Sequence, residues 1–412
     1  MSLFQQNLEK YANLAIRTGI NLQEGQTLVV NASIECAPLV RLVVKKAYEA
    51  GAKNVMVEWS DDTVTRTKYE LAPDEAFTEF PMWRAQGFEE LAASNAAFLS
   101  IYAPNPDLLT GIDPKRIATN TKTASTAMSK YRAYLMSDRA VWSLVGHPTV
   151  EWARKVFPNA ESNDDAVAKL WDVIFETTRI PAEDPVAAWQ EHCDQLHKVA
   201  TILNEKQYKT LAYEAPGTNF TLDLVENHIW AGGGAVSESG TPFRPNMPTE
   251  EVFTMPHKDG MNGTVRSTKP LNYGGTVIDN FSITFENGKV VDYSAEQGYE
   301  TLKHLVETDE GSSRLGEVAL VPHKSPISDT NLIFFNTLFD ENASCHLAIG
   351  NAYPTNVQGG TKMTDEEKAA SGVNQSLTHV DFMIGSAELN VDGITKDGKR
   401  EPIMRNGNWA IL

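Results

Sequence analysis

TLVVNASIECAPLVRLVVKKAYEAGAKNVMVEW, residues 27–59, reads as a strand, a helix and a second strand. Thr27, Leu28, Val29 and Val30 make a short run of residues that favour strands. Over 37–50 the apolar residues Leu39, Leu42, Val43, Ala47 and Ala50 recur at helical spacing, and Gly51 ends the run. Residues 55–59 supply the next strand. Two strands joined through a helix lie parallel, because the crossover must return the chain to the same end of the sheet. Strands over 96–102 and 140–146 continue the alternation. Helices follow Asp164 and Asp184, the second with Pro185 at its first position. Residues 1–205 are therefore expected to form an α/β domain.

A nucleotide-binding reading of this half finds no support. Asn31-Ala32-Ser33-Ile34-Glu35 follows the first strand and contains no glycine to let a phosphate approach. Gly232-Gly233-Gly234 lacks the strand before it and the helix after it that a phosphate cradle needs.

Beyond residue 205 the periodicity changes. Phe220, Leu222 and Leu224 alternate with polar residues, as does 277–285, and Asn287-Gly288 is a hairpin turn before 289–293. A helix is expected over 295–307. Strands are expected over 315–321, 345–349, 376–385 and 388–391, with Asp392-Gly393 turning the last. The stretch 350–376 is long and polar apart from a short helix near 364–370, and loops of that length are often functional. The fold class is an α/β N-terminal domain plus an α+β C-terminal metal-binding domain, with the boundary at 205/206.

Composition narrows the function. The net charge of −18 repels a phosphate backbone, so nucleic acid is an unsuitable partner. There is no run of 18 apolar residues, so no membrane span is expected. No basic segment followed by an apolar one marks a signal peptide at the N-terminus. The three cysteines, Cys36, Cys193 and Cys345, are too few and too far apart for a disulfide framework, which points to a reducing cytoplasm.

The chemistry concentrates in the second half. In His379-Val380-Asp381, side chains at i and i+2 leave a strand on the same face, so imidazole and carboxylate point together. Their neighbours Phe382, Met383 and Ile384 are apolar, and a charge in such a strand is costly unless it is paired or bound to a metal. Glu317, His346 and the pair Glu250-Glu251 lie in or beside other short strands. Singly, each has an ordinary structural explanation. Together they offer three carboxylates and two imidazoles, more than one tetrahedral catalytic zinc uses. They suit two ions sharing a bridging carboxylate, as in dinuclear hydrolases. The other seven histidines show no ligand pattern.

Four longer segments carry a resemblance: Pro248-Thr249-Glu250-Glu251-Val252-Phe253-Thr254, Gly316-Glu317-Val318-Ala319, His346-Leu347-Ala348-Ile349-Gly350-Asn351-Ala352-Tyr353 and His379-Val380-Asp381-Phe382-Met383-Ile384-Gly385-Ser386. The chain resembles the thermophilic metalloaminopeptidases, the aminopeptidase T, S and II group of peptidase family M29. Trp230-Ala231-Gly232-Gly233-Gly234 and Arg405-Asn406-Gly407-Asn408-Trp409 fit as well. The resemblance spans essentially the whole chain and departs at no ligand position. It implies a cytoplasmic homodimer that acts on peptides with a free N-terminus, using two divalent ions per chain (Zn²⁺, Co²⁺ or Mg²⁺). It implies Glu251, Glu317, His346, His379 and Asp381 as metal ligands and places Tyr353 at the centre, as a ligand or as a donor to the oxyanion. Glu251 rather than Glu250 is aligned with the family ligand, and Glu250 stays open as a base or supporting group. Two other readings remain. A dinuclear phosphoesterase would use a cation such as Lys362 or Arg405 near the metals, and a metal-stabilised binding protein would hold its ions in closed coordination.

Overall fold

The computed structural model describes residues 2–412. The chain forms two compact units, one built on a five-stranded parallel sheet with a small antiparallel pair, Ala235–Val236 with Pro242–Phe243, the other on two larger antiparallel sheets. The first comprises residues up to Ile112, Ala127–Asp194 and Gly233–Thr249. Its sheet is wholly parallel, ordered Asn246–Met247, Trp142–Gly146, Ala97–Tyr102, Thr27–Ser33, Asn54–Ser60. The helix Ala37–Glu49 connects two neighbouring strands as its spacing predicts, with proline in its first turn and Gly51 beyond its end at φ +95°. The first strand runs three residues past Val30. Asn31, Ala32 and Ser33 are held by pairing to Glu58, Trp59 and Ser60, which outweighs their weak strand preference.

The second unit comprises Asp113–Thr126, Gln195–Gly232 and Glu250–Leu412. A nine-stranded antiparallel sheet and a five-stranded antiparallel sheet share one apolar core. Phe281 of the larger sheet and Phe382 of the smaller meet there with ring centroids 5.7 Å apart. Two expectations shift. The helix expected from 295 begins at Tyr299, because the strand Lys289–Gln297 stays paired to its hairpin partner and Gly298, at φ +75°, makes the break. Asp392 and Gly393 do not turn the chain. They lie inside the strand Asn390–Ile394, paired on both edges. Glycine is needed at 393 because a Cβ there would come within 2.6 Å of the Tyr208 ring.

The smaller sheet is ordered His379–Met383, His346–Gly350, Leu315–Leu320, Val252–Thr254, Ala231–Gly232. Directly opposed residues of antiparallel strands share a face. Val252, Val318, Leu320, Leu347, Ile349, Val380 and Phe382 point into the core. The opposite face carries Glu317, Ala319, His346, Ala348, His379 and Asp381. A bulge makes this division possible. Leu315 opposes Ile349, but Glu317 opposes Ala348, so Gly316 is the extra residue. Without it Glu317 would fall opposite Leu347 and point into the core. Among the described residues, no helix is long and apolar enough to cross a membrane.

Candidate metal centre

Five side chains meet on the face of the small sheet that turns away from the core. His346 Nε2 lies 3.0 Å from Glu251 Oε2 and 3.5 Å from Glu317 Oε1. His379 Nε2 lies 3.6 Å from Glu317 Oε2 and 3.5 Å from Asp381 Oδ1. The ligand atoms form two triplets, Glu251–Glu317–His346 and Glu317–His379–Asp381, each within 4.8 Å of one another. Glu317 belongs to both, turning one oxygen to each imidazole.

Backbone carbonyls set the histidine tautomers. His346 Nδ1 sits 3.0 Å from the carbonyls of both Glu341 and Ser344, and His379 Nδ1 sits 2.7 Å from the Asn351 carbonyl. Carbonyls only accept, so each Nδ1 carries the proton and each neutral ring turns its Nε2 lone pair toward carboxylate oxygens. Lone pairs facing one another at these distances need a cation between them. Asp381 Oδ1 is moreover buried without a hydrogen-bond partner. The donor set therefore fits divalent metal ions.

Glycines let the main chain come close enough to do this. A Cβ on Gly316 would strike the Gly350 carbonyl at 2.3 Å and the Asn351 carbonyl carbon at 2.4 Å. Gly350 itself has φ +108°, and a side chain there would meet the Thr378 carbonyl at 2.3 Å. Asp309 fixes the approach to the His379 strand, accepting from Leu377 N at 2.6 Å and Ser376 Oγ at 2.8 Å. Gly232, in the edge strand, lets that strand pass the Glu251 carbonyl, 2.9 Å from where a Cβ would stand.

Without metal the charges press on one another. Burial pushes Glu317 up to about 7, aided by Asp381 and opposed by His346. Burial would lower His379, but Asp381 and then Glu317 raise it to about 9. Burial would also lower His346, but its contacts with Glu251 and Glu317 carry it well above the usual histidine range. Burial would raise Asp381, yet the adjacent His379 holds it below the ordinary carboxylate value. On Glu317, His346 and His379 a proton takes the place of a cation, while Asp381 stays ionised beside His379.

Of the two neighbouring glutamates, Glu251 joins the cluster. It precedes Phe253 by two residues, and Phe253 opposes Ala319 on the ligand face. Glu250 has the other parity. It is buried, its N–H donates to Asn342 Oδ1 at 2.8 Å, and it enters neither triplet. The Tyr353 ring packs edge-on to His379 at 4.9 Å and against Phe253 at 5.9 Å. Burial, then the carboxylates of Glu317, Asp381 and Glu251, keep its hydroxyl protonated far above neutrality. Arg405 is taken by Asp392, and Lys362 is exposed in the 350–376 stretch.

Two residues beside the cluster escaped the sequence reading. Asn351 acts through its carbonyl, which no side-chain pattern signals. Glu341 ends the five-residue helix Thr337–Glu341, too short to show a period. The one cue was an acid five residues before His346.

The thermophilic metalloprotease (M29) family model matches residues 4–409. The chain belongs to this family. Aminopeptidase 2 of Geobacillus stearothermophilus is 62% identical over 411 residues, covering 100% of this chain and 99% of that protein. Aminopeptidase AmpS of Bacillus subtilis is 57% identical and covered in full. Wild-type AmpT from Thermus thermophilus, a solved structure, superposes with a TM-score of 0.90 at 41% identity, over 99% of this chain and 100% of that one. Membership in a metalloprotease family and the Glu/His/Asp cluster agree on a divalent metal.

Gly316→Ala is expected to cost about 1–3 kcal/mol of stability by overpacking. It should also weaken metal binding at the His379 half about 10–100-fold, by drawing the Asn351 carbonyl off the imidazole. Metal titration checks this, and unchanged affinity at both halves would refute it.

The His379 shift fixes a pH dependence. Its folded value of about 9 exceeds the 6.5 of an unperturbed histidine. In metal-free protein it thus contributes stability that is full below about 6.5 and lost as pH rises through about 9. Metal uptake must displace that proton. Because His346 holds a proton as well, apparent affinity should rise by at least about tenfold per pH unit below about 9. A competition titration with a chromogenic chelator reads this directly, and a flat profile would contradict it.

Proposed function

We propose that this chain removes N-terminal residues from peptides with a dinuclear divalent-metal site held by Glu251, Glu317, His346, His379 and Asp381. The observation that carries the reading is the Glu317 carboxylate, whose two oxygens face two differently partnered imidazoles. On this reading Glu317 bridges, Glu251 and His346 complete one half, and His379 and Asp381 the other. All five proposed ligands fall within residues 206–412, the proposed catalytic metal-binding domain, and most of the α/β unit falls within 1–205. Zn²⁺, Co²⁺ and Mg²⁺ are the candidate ions, and a cytoplasmic homodimer is the working form.

Bound divalent ions would supply Lewis acidity, lowering the pKa of water and polarising the scissile carbonyl. The protein's own groups do the rest. The Nδ1–H bonds to main-chain carbonyls hold both rings in one tautomer and orientation, so the site does not reorganise as charge develops. Tyr353, kept protonated, donates its hydroxyl to the tetrahedral oxyanion. The phosphoesterase reading loses ground because Arg405 is committed to Asp392 on the other sheet.

Dialysis against a chelator should abolish hydrolysis of aminoacyl-nitroanilides, and one or more of Zn²⁺, Co²⁺, Mn²⁺ and Mg²⁺ should restore it. Full turnover by metal-free protein, or faster cleavage of a nitrophenyl phosphate, would overturn the reading.

Tyr353→Phe keeps the ring and removes the donor. At saturating metal, kcat should fall about 10²–10³-fold with KM little changed, since the bond strengthens only in the transition state. Rescue of the rate by excess metal would instead make Tyr353 a ligand.

A further inference from the structure

We propose that Phe253 is a positioning residue for hydrolysis: its ring braces the Tyr353 ring and so keeps the Tyr353 hydroxyl over the metal face. The inference rests on the reading of Tyr353 as donor to the oxyanion and adds to it a residue outside both metal triplets.

The sheet order decides where Tyr353 stands. His379 lies on the first strand of the small sheet and Phe253 on the fourth. Three strand spacings, about 14 Å, separate their main chains. The Tyr353 ring meets both side chains edge-on, with centroids 4.9 Å from His379 and 5.9 Å from Phe253. It therefore lies across the two strands between them, which carry His346 and Glu317.

Core packing does not account for Phe253. Along Val252-Phe253-Thr254 the two flanking residues are buried and Phe253 is half-buried. Val252 belongs to the core between the sheets, whereas Phe253 shares the face of acids and imidazoles. Its cross-strand neighbours there are Ala319 on one side and Ala231 on the other. A methyl group does not stand as high above the sheet as a phenyl ring, so the upper part of the ring is left to Tyr353.

The main chain is tied to the same place. Asn356 is buried, and its N–H donates to the Tyr353 carbonyl at 3.0 Å. Its Nδ2 donates to the carbonyls of Ile229 and Phe253 at 3.1 and 3.4 Å, and its own carbonyl accepts from Ile229 N at 2.7 Å. The turn that begins at Tyr353 is thus fastened to the Phe253 strand. These bonds fix the main chain of Tyr353 but not its side-chain torsions, and a change of rotamer would carry the hydroxyl off the site. Rings packed on two sides hold one rotamer. The His379 ring is itself held by the Asn351 carbonyl at 2.7 Å, and Phe253 is the second wall.

The requirement on that hydroxyl is strict. A donor stabilises an oxyanion at a separation of about 2.7–3.1 Å, and misplacement by about 1 Å costs on the order of 10²-fold in rate. A phenyl ring meets the requirement without adding a charge or a competing ligand to the cluster.

The test is a double-mutant cycle of Phe253→Ala and Tyr353→Phe on the metal-loaded enzyme, followed with leucyl-nitroanilide. Metals per chain are counted by mass spectrometry. The inference expects Phe253→Ala to lower kcat about 10–100-fold, with KM within about twofold of the parent and metal content unchanged. In the Tyr353→Phe background the same substitution should change kcat by less than about twofold, because the group it positions is gone. Phe253→Leu, which keeps apolar bulk, should recover part of the rate, and it takes the place of Phe253→Ala in the cycle if that variant does not fold. Losses that multiply in the double variant would show independent roles and overturn the inference. So would loss of a metal, or a rise in KM with kcat intact, which would make Phe253 a wall for the substrate side chain. If Tyr353→Phe lowers kcat but Phe253→Ala does not, only this inference fails. If Tyr353→Phe leaves kcat within about twofold, the reading of Tyr353 as donor fails and takes this inference with it. A parent enzyme that does not cleave the substrate overturns the aminopeptidase reading and both that depend on it.

Discussion

One carboxylate shared between two imidazoles organises this protein's functional half. Glu317 can serve both His346 and His379 only if it stands on the same face of the sheet as they do. The alternation of a regular strand would not put it there, since Leu315 and Val318 both belong to the core. The bulge at Gly316 absorbs one residue and reverses the parity. One face of the sheet then buries valine, leucine, isoleucine and phenylalanine against the larger sheet, while the other gathers acids and imidazoles. The apolar face supplies the stability, which leaves the opposite face free to hold a cluster that is unfavourable without a cation.

The main chain does as much at this centre as the side chains. Both ligand histidines are oriented by carbonyl groups, and the Asn351 carbonyl reaches His379 only because residues 316 and 350 are glycine. Substitutions at these positions would act on the metal without touching it. The same arrangement explains why metal-free protein should be sensitive to pH. Protons on His346, His379 and Glu317 replace the charge that a metal provides, and they are in equilibrium with solvent.

Much of this was legible in the sequence, for physical reasons that differ from place to place. The parallel sheet was written in apolar runs punctuated by Gly51 and by helices of regular spacing. His379 and Asp381 were readable because the period of a strand is two, whatever its context. The choice between Glu250 and Glu251 was not readable from the strand period, because it depends on register with the Glu317 strand, a property of pairing. The same limit hid the bulge at Gly316. Gly393 was misread as a turn because glycine's two uses, positive φ and close approach, look alike in sequence. Glu341 and Asn351 were missed since neither lies in a periodic element. Tyr353 came from family resemblance rather than from any pattern of its own.

The most direct test of the shared carboxylate is anomalous diffraction from crystals of the Zn²⁺- or Co²⁺-loaded enzyme. The account predicts two anomalous peaks about 3.5–4 Å apart, each about 2.0–2.2 Å from a different oxygen of Glu317. One peak should be flanked by Glu251 and His346, the other by His379 and Asp381. A single ion closed off by four protein ligands, or two ions with Glu317 bound to only one of them, would contradict it.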